Sequence, residues 1–399
     1  LTTRQIRARV LLHPTGPEVP VPHPLDEFPI HQAPLSMAHM ASTDRNAYDR
    51  CYFNAHGRSG EPFLITGLGI YPNLGLIDAY ATVGIGGEQH SVRASDVLDG
   101  HDRLNPAVGP FRIEVQEPLE RVRLICDGDD HGIGFDLTWH GSFPAVDEQP
   151  HEWRSGPARK VALDAQRFAQ LGTWEGELRV AGQTFAATHD TWVGSRDRSW
   201  GIRPSGESEP QGRNEEAPIE GFWWLYVPLR FDDFSIVVII QEDPDGYRVL
   251  NDATRVWPAA ANRRPEQLGW PRADIHYRPG TRIPTGATIH LTEADGSPLV
   301  LEVESLGFVA LNAGTGYGGD ITGWTHGTWK GRDWVDGVSL DMADPAVAGM
   351  MPFGLLDHVG KATISGGGTR TQEGWGLFEH GSFGRHDPSG FVDFGSVAP

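Results

Sequence analysis

Residues 189 to 203, His189-Asp190-Thr191-Trp192-Val193-Gly194-Ser195-Arg196-Asp197-Arg198-Ser199-Trp200-Gly201-Ile202-Arg203, bring two carboxylates, two indoles, three guanidiniums and an imidazole into one short segment. Such a mixture is suited to acid–base chemistry, because neighbouring charge and burial can tune a carboxyl away from its ordinary range. Asp197 lies between Arg196 and Arg198 and is followed closely by Trp200. The arginines favour its ionised form and burial disfavours it, so the sequence leaves the direction of the shift open. A second reading has equal weight at this stage: the same residues could form a salt-bridge latch at the end of a strand.

Other candidates are more diffuse. Seventeen histidines are present, several beside tryptophans: His140 and His151 near Trp139 and Trp153, and His326 between Trp324 and Trp329. His380 and His386 bracket a Gly-Ser-Phe-Gly segment. A lone histidine of this kind is more often a hydrogen-bonded structural group than a ligand, so no metal ligand is assigned, while a three-histidine site stays open because barrel ligands come from distant strands. The run from Gly314 to Gly319 has GxGxxG spacing, but a strand rather than a helix is expected after it, over 323–330. It therefore reads as a glycine loop and not as a dinucleotide site, and no cofactor is expected. Asp243-Pro244-Asp245-Gly246 reads as a β-turn. HExxH, CxxC and GxSxG patterns are absent.

The elements that must position these groups read as strands. Fifty glycines and thirty prolines are scattered through 399 residues, with 13 Trp and 17 Phe to fill a core. That composition suits many short strands joined by turns. Strands are expected over 50–56 and 62–71, 79–84 and 88–93, 111–116 and 121–126, 133–140, 174–180 and 183–189. Further strands follow over 221–229, 234–240, 247–250, 273–277, 288–292, 299–305, 360–365 and 369–380. Helical character is confined to one or two turns near 26–28, 164–170 and 344–356. The polar, acidic stretch 205–218 reads as a linker. The expected organisation is an N-terminal arm (1–45), a first β domain (46–204), the linker, and a second β domain (219–399).

A formal net charge of −20 argues against nucleic acid as a partner. No apolar run approaches the length of a membrane span, and a cytoplasmic location is expected. Two cysteines, Cys51 and Cys126, make no disulfide framework.

The segment Ser195-Arg196-Asp197-Arg198-Ser199-Trp200-Gly201, together with the hairpin Gly67-Leu68-Gly69-Ile70-Tyr71-Pro72-Asn73, resembles the superfamily containing carotenoid 1,2-hydratases (hydroxyneurosporene synthases), AttH-like proteins and related two-domain lipocalin-like proteins. The likeness is strongest to a bacterial branch of unassigned activity. The resemblance implies an all-β fold of two tandem lipocalin-like barrels or sandwiches around an apolar tunnel. It also implies that Asp197 falls on the carboxylate that donates a proton in the hydratases, with Trp192 and Trp200 on the aromatic positions around it. The expected activity is a cofactor-independent hydratase or dehydratase on an apolar terpenoid, steroid-like or aromatic small molecule. His189 and His380 are candidates to orient water or return the proton. Arg196, Trp223, Trp224, Tyr71 and Trp375 join Trp192 and Trp200 as candidate substrate-binding residues. Two alternatives stand beside this: a non-catalytic carrier of lipophilic ligands, and an isomerase or cyclase using the same pocket.

Overall fold

The computed structural model describes residues 24–31, 33–98, 103–155, 159–207 and 219–399. Most of the expected linker, and most of the N-terminal arm, lie outside those residues. The chain divides into a small unit ending at Thr43 and a large one, Asp44–Pro399. In the small unit a 3-10 turn, Pro24–Glu27, is held by Asp26, whose carboxylate accepts hydrogen bonds from Ser36 Oγ (2.7 Å) and the Met37 amide (2.7 Å).

The large unit is built from antiparallel strands. They are β1 (Ala47–His56), β2 (Phe63–Tyr71), β3 (Leu76–Ile85), β4 (Glu88–Val97), β5 (Ala107–Val108), β6 (Phe111–Glu117), β7 (Arg121–Gly128) and β8 (Ile133–Gly141). Next come β9 (Val146–Asp147), β10 (His151–Ser155), β11 (Lys160–Val180), β12 (Gln183–Ala187) and β13 (Val193–Ile202). The second half supplies β14 (Gly221–Arg230), β15 (Ser235–Glu242), β16 (Arg248–Val256), β17 (Glu266–Gln267), β18 (Arg272–Tyr277), β19 (Pro284–Thr292) and β20 (Pro298–Ala310). It ends with β21 (Trp334–Asp341), the single α-helix among the described residues, α1 (Pro345–Met350), and strands β22 (Leu356–Gly366) and β23 (Thr369–Gly384).

Two curled sheets result, so the chain is all-β with two lipocalin-like β domains in tandem. The first runs β21-β4-β3-β2-β1-β13-β11-β8-β7-β6-β5, with β9, β10 and β12 also pairing to β11. The second runs β17-β16-β15-β14-β23-β22-β20-β19-β18. β21 belongs by sequence to the second half but hydrogen-bonds to β4, at the edge of the first sheet. Each sheet folds over its own apolar core. Phe53, Ala79, Leu137, Trp139 and Trp174 share one cluster although their strands are far apart in the order. Trp223, Leu225, Ile240, Ile289 and Phe378 share another. A third cluster joins residues of both sheets: Tyr52, Phe63, Ile65, Tyr80 and Leu171 from the first, and Trp224, Tyr226, Ile239 and Leu377 from the second. Each large side chain buried there contributes about 1.5–3 kcal/mol relative to exposure, so this layer couples the two sheets.

Local signals and the structure differ in two places. Residues 164–170, expected as helical turns, lie inside the 21-residue strand β11. They pair with β13 throughout, from Asp164↔Ile202 to Gln170↔Arg196, and ladder pairing outweighs a weak helical preference. Residues 323–330, expected as a strand, form turns, with Gly323 and Gly327 at left-handed φ of 72° and 78°. The helical character at 344–356 resolves into α1, capped by Asp344, whose side chain accepts from the Ala346 amide. Cys51 and Cys126 are both free thiols.

Candidate functional site

Alternation along strands decides which residues meet. In the first sheet, cross-strand pairing aligns Tyr80, Gly67, Tyr52, Asp197 and Ala169 in one row. The row two residues along contains Asp78, Gly69, Arg50, Ser199 and Arg167. Both rows belong to the face that meets the second sheet, since Tyr52, Tyr80 and Ala169 lie in the intersheet cluster. In the second sheet, pairing aligns Asp252, Ile239, Tyr226, Glu379, Asp357 and Val309. Two polar rows thus face each other inside an otherwise apolar layer.

The two glycines have a steric purpose. A Cβ on Gly69 would sit 2.5 Å from Tyr71 Oη, because the Tyr71 ring folds across Gly69 to reach Asp78. A Cβ on Gly67 would sit 2.5 Å from the Cys51 carbonyl oxygen and 3.0 Å from the Tyr80 ring.

Asp197 is at the centre. Burial pushes its carboxyl up to about 6, against the opposing pull of Arg167, Arg203 and Arg50. By surface exposure its side chain is only partly buried. Arg167 forms an ion pair with buried Glu148, which also accepts a hydrogen bond from Tyr226 Oη (2.9 Å). On the other side, Asp357 Oδ2 accepts from Tyr52 Oη (2.6 Å) and Glu379 Oε1 accepts from Trp224 Nε1 (2.5 Å). Asp357 and Glu379 are directly paired across β22 and β23. Burial pushes Asp357 up to about 7, and burial together with the Asp357 charge drives Glu379 well above the carboxylate range. Two adjacent buried carboxyls cannot both ionise without repulsion, so each raises the other.

A loop closes the layer from the second half. Asp320 holds it, accepting from the Gly314 (2.7 Å) and Gly316 (2.9 Å) amides. Gly314–Gly319 is thus a glycine loop, as read from the sequence, and it delivers Tyr317 against Arg50, whose guanidinium lies 5.2 Å from the ring centroid. His326 packs between Tyr80, Tyr317 and Trp324, and burial lowers its pKa to about 4, so it is neutral. Arg167 Nη2 and His326 Nε2 are buried without a hydrogen-bond partner among the described residues. His326 Nδ1, Tyr80 Oη and Asp357 Oδ1 in the same layer are also without a hydrogen-bond partner among the described residues, and such atoms are costly to bury.

The residues singled out from the sequence divide by face. Trp224 joins Asp197 in the layer, with Arg167 over its ring at 5.7 Å. Tyr71 is fully buried at its edge, with Oη 3.3 Å from Asp78. Trp375 lies on the same strand parity as Glu379 but farther along β23, beside Lys361. Arg196 alternates to the opposite face, where its guanidinium meets Phe53, Trp139 and Phe168 and Gln170 accepts from Nε (2.8 Å). Trp200 shares that parity and is 40% exposed, while Trp192 is in the first core. Trp223 and His380 point into the second core, where His380 contacts Tyr277 Oη (2.8 Å) and the Trp224 carbonyl (2.6 Å). His189 is on the surface with Glu175 and His140. Neither histidine is brought to Asp197. The residues not anticipated are Arg50, Tyr52, Tyr80, Glu148, Arg167, Tyr226, Asp357 and Glu379. Their one sequence signal is a charged residue inside an apolar strand, as in Leu356-Asp357-His358-Val359 and Leu377-Phe378-Glu379.

A family model described as a family of unknown function (DUF8625) matches residues 23–392. No curated protein matches. Among solved structures, the chain is similar to a Nitrosomonas europaea protein (NE1406) named as a candidate AttH, with 13% identity and a TM-score of 0.48 over 93% of this chain and 99% of that one. It is similar to kievitone hydratase from Nectria haematococca, with 15% identity and a TM-score of 0.47 over 83% and 88%. A third is CghA with Sch210972, at 11% identity and a TM-score of 0.46 over 86% and 89%.

Proposed function

The chain belongs to this family of unknown function, and for it we propose a cofactor-independent hydratase or dehydratase that works by proton donation from Asp197 to an apolar, terpenoid-like or aromatic small molecule. The observation that carries the reading is a carboxyl raised to about 6 in a row that faces a layer of aromatic rings. At neutral pH a useful fraction of such a group is an acid, matched to general acid catalysis. In the hydration direction, the Asp197 proton goes to an alkene carbon and leaves a carbocation. The faces of Tyr52, Tyr80, Tyr226 and Trp224 would stabilise that cation. Water then adds to the cation, and the proton it releases returns to the Asp197 carboxylate. Asp357, in its ionised form, would be the alternative acceptor of that proton, passing it on to Asp197. Arg167 Nη2 and His326 Nε2 would bind a polar substituent of the substrate.

The test is turnover of alkene and tertiary-alcohol panels in 18O-labelled water. Label is expected in the alcohol product with the wild-type chain, falling at least 100-fold in Asp197→Asn. Turnover retained in Asp197→Asn would remove Asp197 as the acid.

A further inference from the structure

We propose that His140, Glu175 and His189 form a binding site for one divalent transition-metal ion, zinc by preference, distinct from the Asp197 layer. β8 and β11 pair His140 with Thr173 and Thr138 with Glu175, so these four side chains share one outer face of the first sheet. His189 arrives from the turn after β12. That turn is fixed, because the Thr188 carbonyl accepts from the Thr191 (3.0 Å) and Trp192 (2.8 Å) amides and the Trp192 ring is buried in the core.

His140 Nε2 lies 3.0 Å from Glu175 Oε1, and His189 Nε2 lies 3.0 Å from Glu175 Oε2. The two imidazoles cross edge to face at 87° with centroids 4.3 Å apart. One ligand atom from each of the three residues falls within 4.8 Å of the others. Ligands of a tetrahedral zinc ion stand about 3.3 Å apart, given bonds of about 2.0–2.1 Å, so small side-chain adjustments would enclose one.

The hydrogen bonding is compatible with a bound cation. His189 Nδ1 is 3.1 Å from Thr173 Oγ1. With Nδ1–H donating to that hydroxyl, Nε2 directs a lone pair at a carboxylate oxygen that also carries only lone pairs. Two lone pairs meeting at this distance repel unless a proton or a metal ion lies between them. Thr173 plays the part that outer-shell hydrogen-bond partners play in metal sites, fixing the tautomer and the ring direction. Two imidazoles and one carboxylate favour a borderline ion such as zinc over the hard, oxygen-seeking magnesium and calcium. A fourth position would open onto a surface groove of about 740 Å³ lined by Asp136, Thr138, Glu177, Arg179 and Thr188. Three protein ligands with an open fourth position is the pattern of reactive rather than structural zinc. Along β11, Glu175 is six residues beyond Ala169, the neighbour of Asp197, or roughly 20 Å of extended strand, so the two sites are separate.

The experiment uses the full chain without an affinity tag, stripped with chelator and titrated with Co2+ and then Zn2+. One Co2+ per chain is expected, with the visible absorption of a four-coordinate ion, displaced by Zn2+ and accompanied by a rise in Tm. The double variant His140→Ala/His189→Ala should lose the spectrum and the Tm rise. Thr173→Val, which keeps all three ligands, should weaken affinity by roughly 10–100-fold. His290→Ala, at the separate His290–Asp274 surface pair, should change nothing. Absence of stoichiometric Co2+ binding to the wild-type chain, or its persistence in the double variant, would overturn the proposal.

Discussion

Replacing Asp197 by Asn separates an acid held at a cost from a structural latch. An unfolded chain would ionise this carboxyl near about 3.9, whereas in the fold burial raises it to about 6. The folded state therefore binds the proton more tightly, and stability falls as pH rises through the interval between those values. Below about 4 both states are protonated and there is no penalty. Above about 6 to 7 the penalty is complete, at about 3 kcal/mol if the full difference is expressed. Partial exposure of the side chain reduces this to about 1–3 kcal/mol. Asn carries no charge at any of these pH values, so the variant escapes the penalty. Urea denaturation at pH 4, 5, 6, 7 and 8 should show the variant equal to wild type at pH 4 and more stable by that amount at pH 8. The gain should develop between pH 4 and 7. If Asp197 were a latch for Arg50, Arg167 and Arg203, the variant would be less stable at pH 8, and this reasoning would fail.

Activity should follow the same carboxyl in the opposite sense: kcat/KM for hydration should fall tenfold per pH unit above about 6, as the acid form is lost. A flat profile from pH 5 to 8 would exclude Asp197 as proton donor. Because burial and the neighbouring Asp357 charge raise Glu379 well above the ordinary carboxylate range, Glu379→Gln should be tolerated at neutral pH, within about 1 kcal/mol of wild type in urea titrations. Tyr52→Phe removes the 2.6 Å hydrogen bond to Asp357 and should raise that carboxyl further, a shift measurable by carboxyl 13C NMR, with a loss of about 1 kcal/mol. Gly67→Ala places a methyl 2.5 Å from the Cys51 carbonyl oxygen and should cost about 1–3 kcal/mol, read as a lower urea midpoint.

Much of the fold was legible without coordinates because strand signals are local. The alternation in Arg121-Val122-Arg123-Leu124-Ile125-Cys126 and the glycine turn at Gly86-Gly87 each appear in the structure as read. Asp197 was legible as a candidate because arginines and tryptophans around a carboxylate are unusual in any context. What local pattern could not supply was the face. Treated as one cluster, Arg196, Asp197, Arg198 and Trp200 looked like a single site; once 193–202 is a strand, its two-residue period sends Arg196, Arg198 and Trp200 to the other side of the sheet from Asp197. The same parity separates Glu379, in the intersheet layer, from its neighbour His380, in the second core. Nor could the partners be inferred, because Tyr52 and Asp357 lie 305 positions apart and meet only when the two sheets pack together. Residue types and strand periods are properties of a short window of chain, whereas the ion pair of Arg167 with Glu148 and the dyad's loss of water are properties of packing. The sequence determined which groups are available for acid–base chemistry, and the tertiary structure decided which carboxyls are buried deeply enough to be acids at neutral pH.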